Sequence, residues 1–192
     1  QFTPKASAVH SDNRMLLRGA PRRNDAESLR DSVLFVSGKI NLTMGGPGFR
    51  DFNYKEAYAP IYTYVTPDSP ELWRRSIYRF VVRGTPQPFM TTLDCPNPAN
   101  LTPARSTTTT ALQSLALFNN DFILRQTRYF ADRVVREAGA SYDAQATLAF
   151  QLAFGRKPSK DERQLSIQLI KTDSLFALCR SLFNANEFVY LD

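Results

Sequence analysis

Residues Trp73–Phe122, WRRSIYRFVVRGTPQPFMTTLDCPNPANLTPARSTTTTALQSLALFNNDF, decide how this chain is read. An arginine-studded apolar segment opens them. Trp73, Ile77 and Val81 share one side of a helical wheel, and Arg75, Arg79 and Arg83 share another. Ile77–Val82 would equally suit a strand pairing with Ile61–Thr66; the reading adopted is a helix that gives way to an extended stretch. Five prolines follow: Pro86, Pro88, Pro96, Pro98 and Pro103. Proline removes a donor and blocks a helix interior, so Gly84–Pro103 is expected to be a long ordered loop or extended segment. Loops of that length inside compact domains are often functional. Thr110-Ala-Leu-Gln113 is a capping box that opens a short helix over Ala111–Phe118. Its Leu112, Leu115, Ala116 and Leu117 leave little polar face, which predicts burial nearly all round. Asn119-Asn120 ends it. The order of these pieces points to a mainly α fold: an irregular helical bundle with a small β element and a long proline-rich loop.

Working upstream, Asn24-Asp-Ala-Glu27 has capping-box spacing with Asn24 as N-cap. Leu29, Val33 and Val36 follow at helical intervals, and Gly38 supplies the stop. Met44–Gly48 is glycine-rich but lacks the GKS and GxGxxG patterns of phosphate loops, and reads as a turn. Ile61–Thr66 (IYTYVT) is β-branched and aromatic, hence a strand. Ser69-Pro70-Glu71 reads as a helix start. Residues 1–23 are polar and lack a period, and are read as an extended arm; residues 24–192 are read as a single helical domain. The abrupt start, QFTPKASAV, reads as the continuation of a longer chain.

Working downstream, an amphipathic helix is expected over about Asp121–Ala138, with Ile123, Leu124, Thr127, Ala131, Val134 and Val135 inward and Gly139 at its end. A further helix over Ala144–Phe154 stops at Gly155. Ser159 and Glu162 form a third capping box. A last helix, about Ser174–Ala185, carries Leu175, Leu178, Leu182 and Phe183, after which Phe188 and Tyr190 dock back on the bundle.

The net charge of +6, from 24 basic and 18 acidic residues, allows polyanionic partners, although dispersed arginines also pair with the acids around them. No helix-turn-helix, stacking-sheet motif or dense basic stripe is present, so nucleic acid is not an expected partner. Cys95 and Cys179 leave two options open, one disulfide or two buried thiols. There is no Cys-x-x-Cys-His and no four-ligand Cys/His set, so neither c-type haem, nor another cofactor, nor a metal is expected on this chain. The single histidine, His10, would have to serve any Ser-His or Cys-His chemistry. No apolar run approaches the ~20 residues that span a bilayer, and no signal peptide is visible.

Six motifs occur in order: ESLRDSVLFVSGKINLTMGGPGF (27–49), WRRSIYRFVVR (73–83), TTLDCPNP (91–98), TTTTALQSLALFNNDFILRQ (107–126), LAFGRKPSKDE (152–162) and LCRSLFNANEFVYLD (178–192). Together they resemble the C-terminal domain of large secreted planctomycete proteins, the family called domain of unknown function 1553, over nearly the whole chain from about Asp12. The resemblance implies a mostly helical domain in an extracytoplasmic setting: periplasm, cell surface or secreted. It implies upstream domains, often including a cytochrome c-like domain that would carry haem, and it implies no assigned catalytic residues. It also implies a beginning upstream of Gln1 and a longer stretch between Arg163 and Ser174, with residues missing near Lys171-Thr172-Asp173. In such a bacterial protein the N-glycosylation matches at Asn41-Leu-Thr43 and Asn100-Leu-Thr102 are chance.

The expected role is therefore a non-catalytic structural or interaction module of a larger, cytochrome c-associated protein. Its partners would be upstream domains of the same protein or other subunits of an assembly. Two alternatives have named residues. Asp94, Cys95 and Arg105 would form part of an active site for an extracellular polymer, with Arg105 lowering the thiol pKa. Arg74, Arg75, Arg79 and Arg83 would bind acidic or sulfated polysaccharide, because guanidinium forks match oxyanions. Thr107–Thr110, Gln113 and Asn119-Asn120 either converge on a ligand or cap helices and satisfy the backbone of the proline loop.

Overall fold

A computed structural model describes residues 22–191. Its elements are β1 (Arg22–Arg23), α1 (Ala26–Val36), β2 (Phe52–Lys55), β3 (Ile61–Tyr64), α2 (Pro88–Thr92), α3 (Ala111–Asn119), α4 (Asp121–Ala138), α5 (Tyr142–Phe154), α6 (Lys160–Thr172), α7 (Leu175–Phe183), α8 (Asn186–Val189) and β4 (Tyr190–Leu191). The fold is mainly helical. Two antiparallel two-stranded ladders, β1 with β4 and β2 with β3, are its sheet content. Residues 1–21 of the expected arm, His10 among them, lie outside the described residues.

Helical periodicity builds the body. On α4 the buried stripe is Ile123, Gln126, Thr127, Phe130 and Val134, the i, i+3, i+4 rhythm of one helix face. It is turned by about one residue from the expected stripe, and Val135 is half exposed. The reason is polar: Gln126 faces inward because its side chain accepts a 2.7 Å bond from the buried Ser37 hydroxyl. α7 supplies Leu178, Cys179, Leu182 and Phe183 to the same core. The Phe183 ring sits 5.2 Å from Phe130 and 5.1 Å from Phe188, spacings at which tilted aromatic pairs attract beyond simple burial. Phe188 docks back as expected.

Two of the three capping boxes form. Thr110 with Gln113 and Ser159 with Glu162 each exchange both bonds. The Asn24 box does not. Asp25 is the N-cap of α1 and makes no side-chain cap bond. β1–β4 pairing pulls Asn24 away: its N–H donates to the Val189 carbonyl, and Glu27 turns to Arg105. α1 ends at Gly38, in the left-handed region at φ 74°, with the Lys39 N–H closing on the Leu34 carbonyl, a Schellman-type stop.

Three local expectations are corrected. First, 73–82 is not a helix. Pro70 starts only a 3-10 turn, Pro70–Trp73, and a second turn spans Ser76–Tyr78. The chain is held extended between them because Asn41 pairs with Trp73 and Phe49 with Tyr78 and Phe80. Ile77 and Val81, expected to share a helical face with Trp73, are exposed. Second, the strand over Ile61–Tyr64 pairs with Phe52–Lys55, not with 77–82; Phe52 is the anchor, its ring meeting Tyr62, Tyr64 and Phe80. Third, the proline loop contains a helix. Pro88 occupies the first turn of α2, where its missing N–H costs nothing, and the Gln87 side chain accepts from the Met90 N–H at 2.7 Å. Phe89, Met90 and Leu93 then enter the core. α3 is also less buried than expected: only Gln113 and Leu117 face inward, and Leu112 and Leu115 are exposed.

One buried side chain ties several points of the excursion between α1 and α2 to the body. Arg30, 8% exposed, donates to the carbonyls of Leu72 and Arg74 and to the Ser76 hydroxyl. Its guanidinium stacks between the rings of Phe49 and Phe122 at 5.1 and 5.3 Å.

Candidate functional site

Asp94 follows the last turn of α2, one residue past its cap, with φ 61°. It holds the position that glycine usually takes at a helix end, and aspartate tolerates it better than most residues. That backbone turn throws its carboxylate across to 106–113. There it accepts from the Thr108 N–H at 2.7 Å, the Thr108 hydroxyl at 3.0 Å, Gln113 Nε2 at 3.1 Å and the buried Arg23 guanidinium at 2.9 Å. Arg23 also donates to the Leu93 and Thr108 carbonyls. Burial alone would raise the Asp94 pKa, but the Thr108 bonds, the Arg23 charge and Gln113 outweigh it and hold the carboxylate below its ordinary range.

Cys95 faces elsewhere. Its thiol and Arg105 line an open cleft of about 540 Å³, together with Glu27, Asp31, Arg75 and Arg79 among others; Asp94 is not on its wall. The structure thus brings Cys95 and Arg105 to one cleft and leaves Asp94 behind the loop. Arg105 does not activate the thiol. It forms a two-pronged pair with Glu27, at 2.7 and 3.1 Å, and Cys95 instead points its S–H at the same carboxylate, 3.6 Å away. Burial and the Glu27 charge push the Cys95 thiol up to about 11. Glu27 is itself held low, the Arg105 bond outweighing the upward effect of burial. Cys179 is fully buried, its thiol pushed up by burial, and both cysteines are free.

Without a helix, the four arginines of 74–83 do not share a face. Arg74 stacks on the Tyr78 ring at 4.0 Å and donates to the carbonyls of Thr43, Gly45 and Pro47, fixing the glycine turn. Arg75 lies 3.6 Å from Asp31 on the cleft wall. Arg79 lines the cleft, and its guanidinium has no ion-pair or hydrogen-bond partner among the described residues. Arg83 is exposed and off the cleft wall.

Sequence reasoning missed Arg23, Glu27 and Asp31. Arg23 lies 71 residues from its partner, and no local pattern signals such a pair. Glu27 carried a signal for the wrong role, as a capping residue. Among the described residues no group of three or more His, Cys, Asp or Glu side chains could hold a metal ion, and no helix is long and apolar enough to cross a membrane.

Compared with known families, residues 1–170 match the one described as Protein of unknown function (DUF1553). The match begins at the first residue and ends before the last of the six ordered motifs. No curated protein and no solved structure matches the chain.

Proposed function

The chain belongs to the DUF1553 family, and from that premise we propose that it is a non-catalytic structural and interaction module of a larger extracytoplasmic, cytochrome c-associated bacterial protein. Any haem would sit on an upstream domain. The observation that carries the reading is the use made of Asp94: four internal donor groups occupy its carboxylate, so it is a structural tie and not a free acid or base. Cys95 supports the same reading, because a thiol at about 11 is almost wholly protonated near neutral pH.

Thiol labelling tests it. With native, reduced protein and a maleimide reagent at neutral pH, Cys179 stays unlabelled and Cys95 reacts about a hundredfold or more slowly than a free cysteine, the rate still climbing above pH 9. Rapid labelling of Cys95 with a midpoint near 7 would instead support the second reading, a catalytic role toward an extracellular polymer. That reading has one observation in its favour, the open cleft beside Cys95 and Arg105. Binding of acidic or sulfated polysaccharide through the arginine face is less supported, since Arg74 is spent on the glycine turn and Arg83 lies apart.

A further inference from the structure

We infer that the cleft between α1, α2 and the 75–82 segment binds an organic anion, one carboxylate or sulfate ester carried on an apolar body. The inference concerns a ligand and stands whether or not the domain is catalytic. Its first ground is a mismatch of hydrogen-bonding groups. The three acids on the cleft wall are taken: Asp25 by Arg22 and Arg105 at 3.5 and 3.7 Å, Glu27 by Arg105, and Asp31 by the Ser76 N–H and hydroxyl, both at 2.7 Å, with Arg30 and Arg75 at 3.6 Å. The donors are not. The Arg79 guanidinium has no acceptor within ion-pair distance among the described residues. Gln87 spends its Oε1 on Met90, and its Nε2, like the Ser28 hydroxyl, bonds to nothing among the described residues. A guanidinium fork and a free amide N–H₂ on the wall of one cleft are a donor set for an oxyanion.

The nearest rival for Arg79 is Asp51, whose charge it feels. That carboxylate stands beyond ion-pair reach of Arg79, and its Oδ1 is buried without a hydrogen-bond partner among the described residues. Asp51 faces the small pocket on the far side of Arg79, not the cleft.

The second ground is the rest of the wall. Ile77, Val81, Val82, Met90 and Pro96 are apolar members of that wall, and Ile77 is 76% exposed. A purely ionic ligand would leave that surface wet; an apolar body would cover it. The volume, about 540 Å³, falls in the range of about 300–1,000 Å³ usual for small-molecule sites.

Calorimetric and NMR titrations with four probes test the site: 3-phenylpropionate, phenyl sulfate, the neutral 3-phenylpropionamide, and acetate. Saturable binding is expected for the first two, with shifts confined to the cleft and the tighter probe identifying the head group. The amide and acetate should not saturate. Arg79→Gln should weaken binding about tenfold or more, the worth of one charged hydrogen-bonded contact. Arg83→Gln removes the same charge off the cleft and should leave binding unchanged. Ile77→Glu, at an exposed position where folding is safe, should abolish it through the wall. Absence of saturation by either anion overturns the proposal. So does equal weakening by Arg79→Gln and Arg83→Gln, or binding of the amide as tight as that of the acid.

Discussion

Asp94 joins three segments through one carboxylate. Arg23 is buried, so removing its counterion leaves a charge with only carbonyl partners, and breaking a pair of this kind costs more than the pair itself contributes. Asp94→Ala is therefore expected to destabilise the fold by about 2–4 kcal/mol, read from urea denaturation. Asp94→Asn keeps the left-handed backbone tolerable and should cost less. The pH dependence has a definite sign. The folded carboxylate sits below its ordinary pKa, so its stabilising contribution is complete above the unfolded value of about 3.9 and is lost as pH falls through the folded one. The gap between wild type and Asp94→Asn should be widest near neutrality and close in acid. A gap that is flat with pH would show that the carboxylate's charge is not what holds Arg23.

At the level of elements, local chemistry and long-range pairing compete, and caps show where each wins. Thr110 and Ser159 satisfy backbone N–H groups of their own helices, and nothing distant competes for them. Thr110→Ala and Ser159→Ala should each cost about 1 kcal/mol. Asn24→Ala should cost clearly less, because its side chain caps nothing and makes one long 3.4 Å bond to the Phe188 carbonyl. Thermal melts of the three variants check the order; an Asn24 effect as large as the others would mean that α1 begins where its motif says. The same competition explains what was legible. The helices from Asp121 to Phe183 were readable because their apolar period agrees with their stop signals, Gly139 and Gly155, and with the start signal Ser159. Within 41–86 the strand at Ile61–Tyr64 was readable, but its partner and the course of 73–82 were not, because IYTYVT and IYRFVV carry similar β-branched and aromatic content and only the cross-strand partner, Phe52–Lys55, decides between them. The site was half legible: Cys95, Arg105, Arg75 and Arg79 were singled out and do meet at a cleft, while Glu27 and Asp31 neutralise two of those arginines and read locally as a capping residue and as helix surface.

Over the whole molecule, the excursion from Lys39 to Pro86 is a second layer laid on a helical body, and Arg30 is its main fastening. Burial draws the Arg30 pKa down to about 10, still far above neutrality, so the guanidinium is charged when it grips the Leu72 and Arg74 carbonyls and Ser76. The chain's single tryptophan reports on that grip. Trp73 lies in the excursion, edge-on to Tyr129 of α4 at 5.9 Å, with the Lys39 ammonium 5.0 Å from its ring. Arg30→Met keeps an apolar stem between Phe49 and Phe122 but deletes all three of Arg30's bonds to the excursion, leaving those of Asp31 to Ser76. The body's own core, from Leu29 and Val33 through Phe130 and Phe183, is untouched by that change. The variant should therefore lose about 2–4 kcal/mol of docking free energy and unfold in two steps in urea. Trp73 fluorescence should change at lower denaturant than the far-ultraviolet helical signal, whereas the two coincide in the wild type. Hydrogen exchange should quicken at Phe49, Ser76 and Phe80 in the variant while the α4 and α7 amides keep their protection. If Arg30→Met instead melts in one transition by both probes, the excursion and the body fold as a single cooperative unit and Arg30 is one packing residue among many.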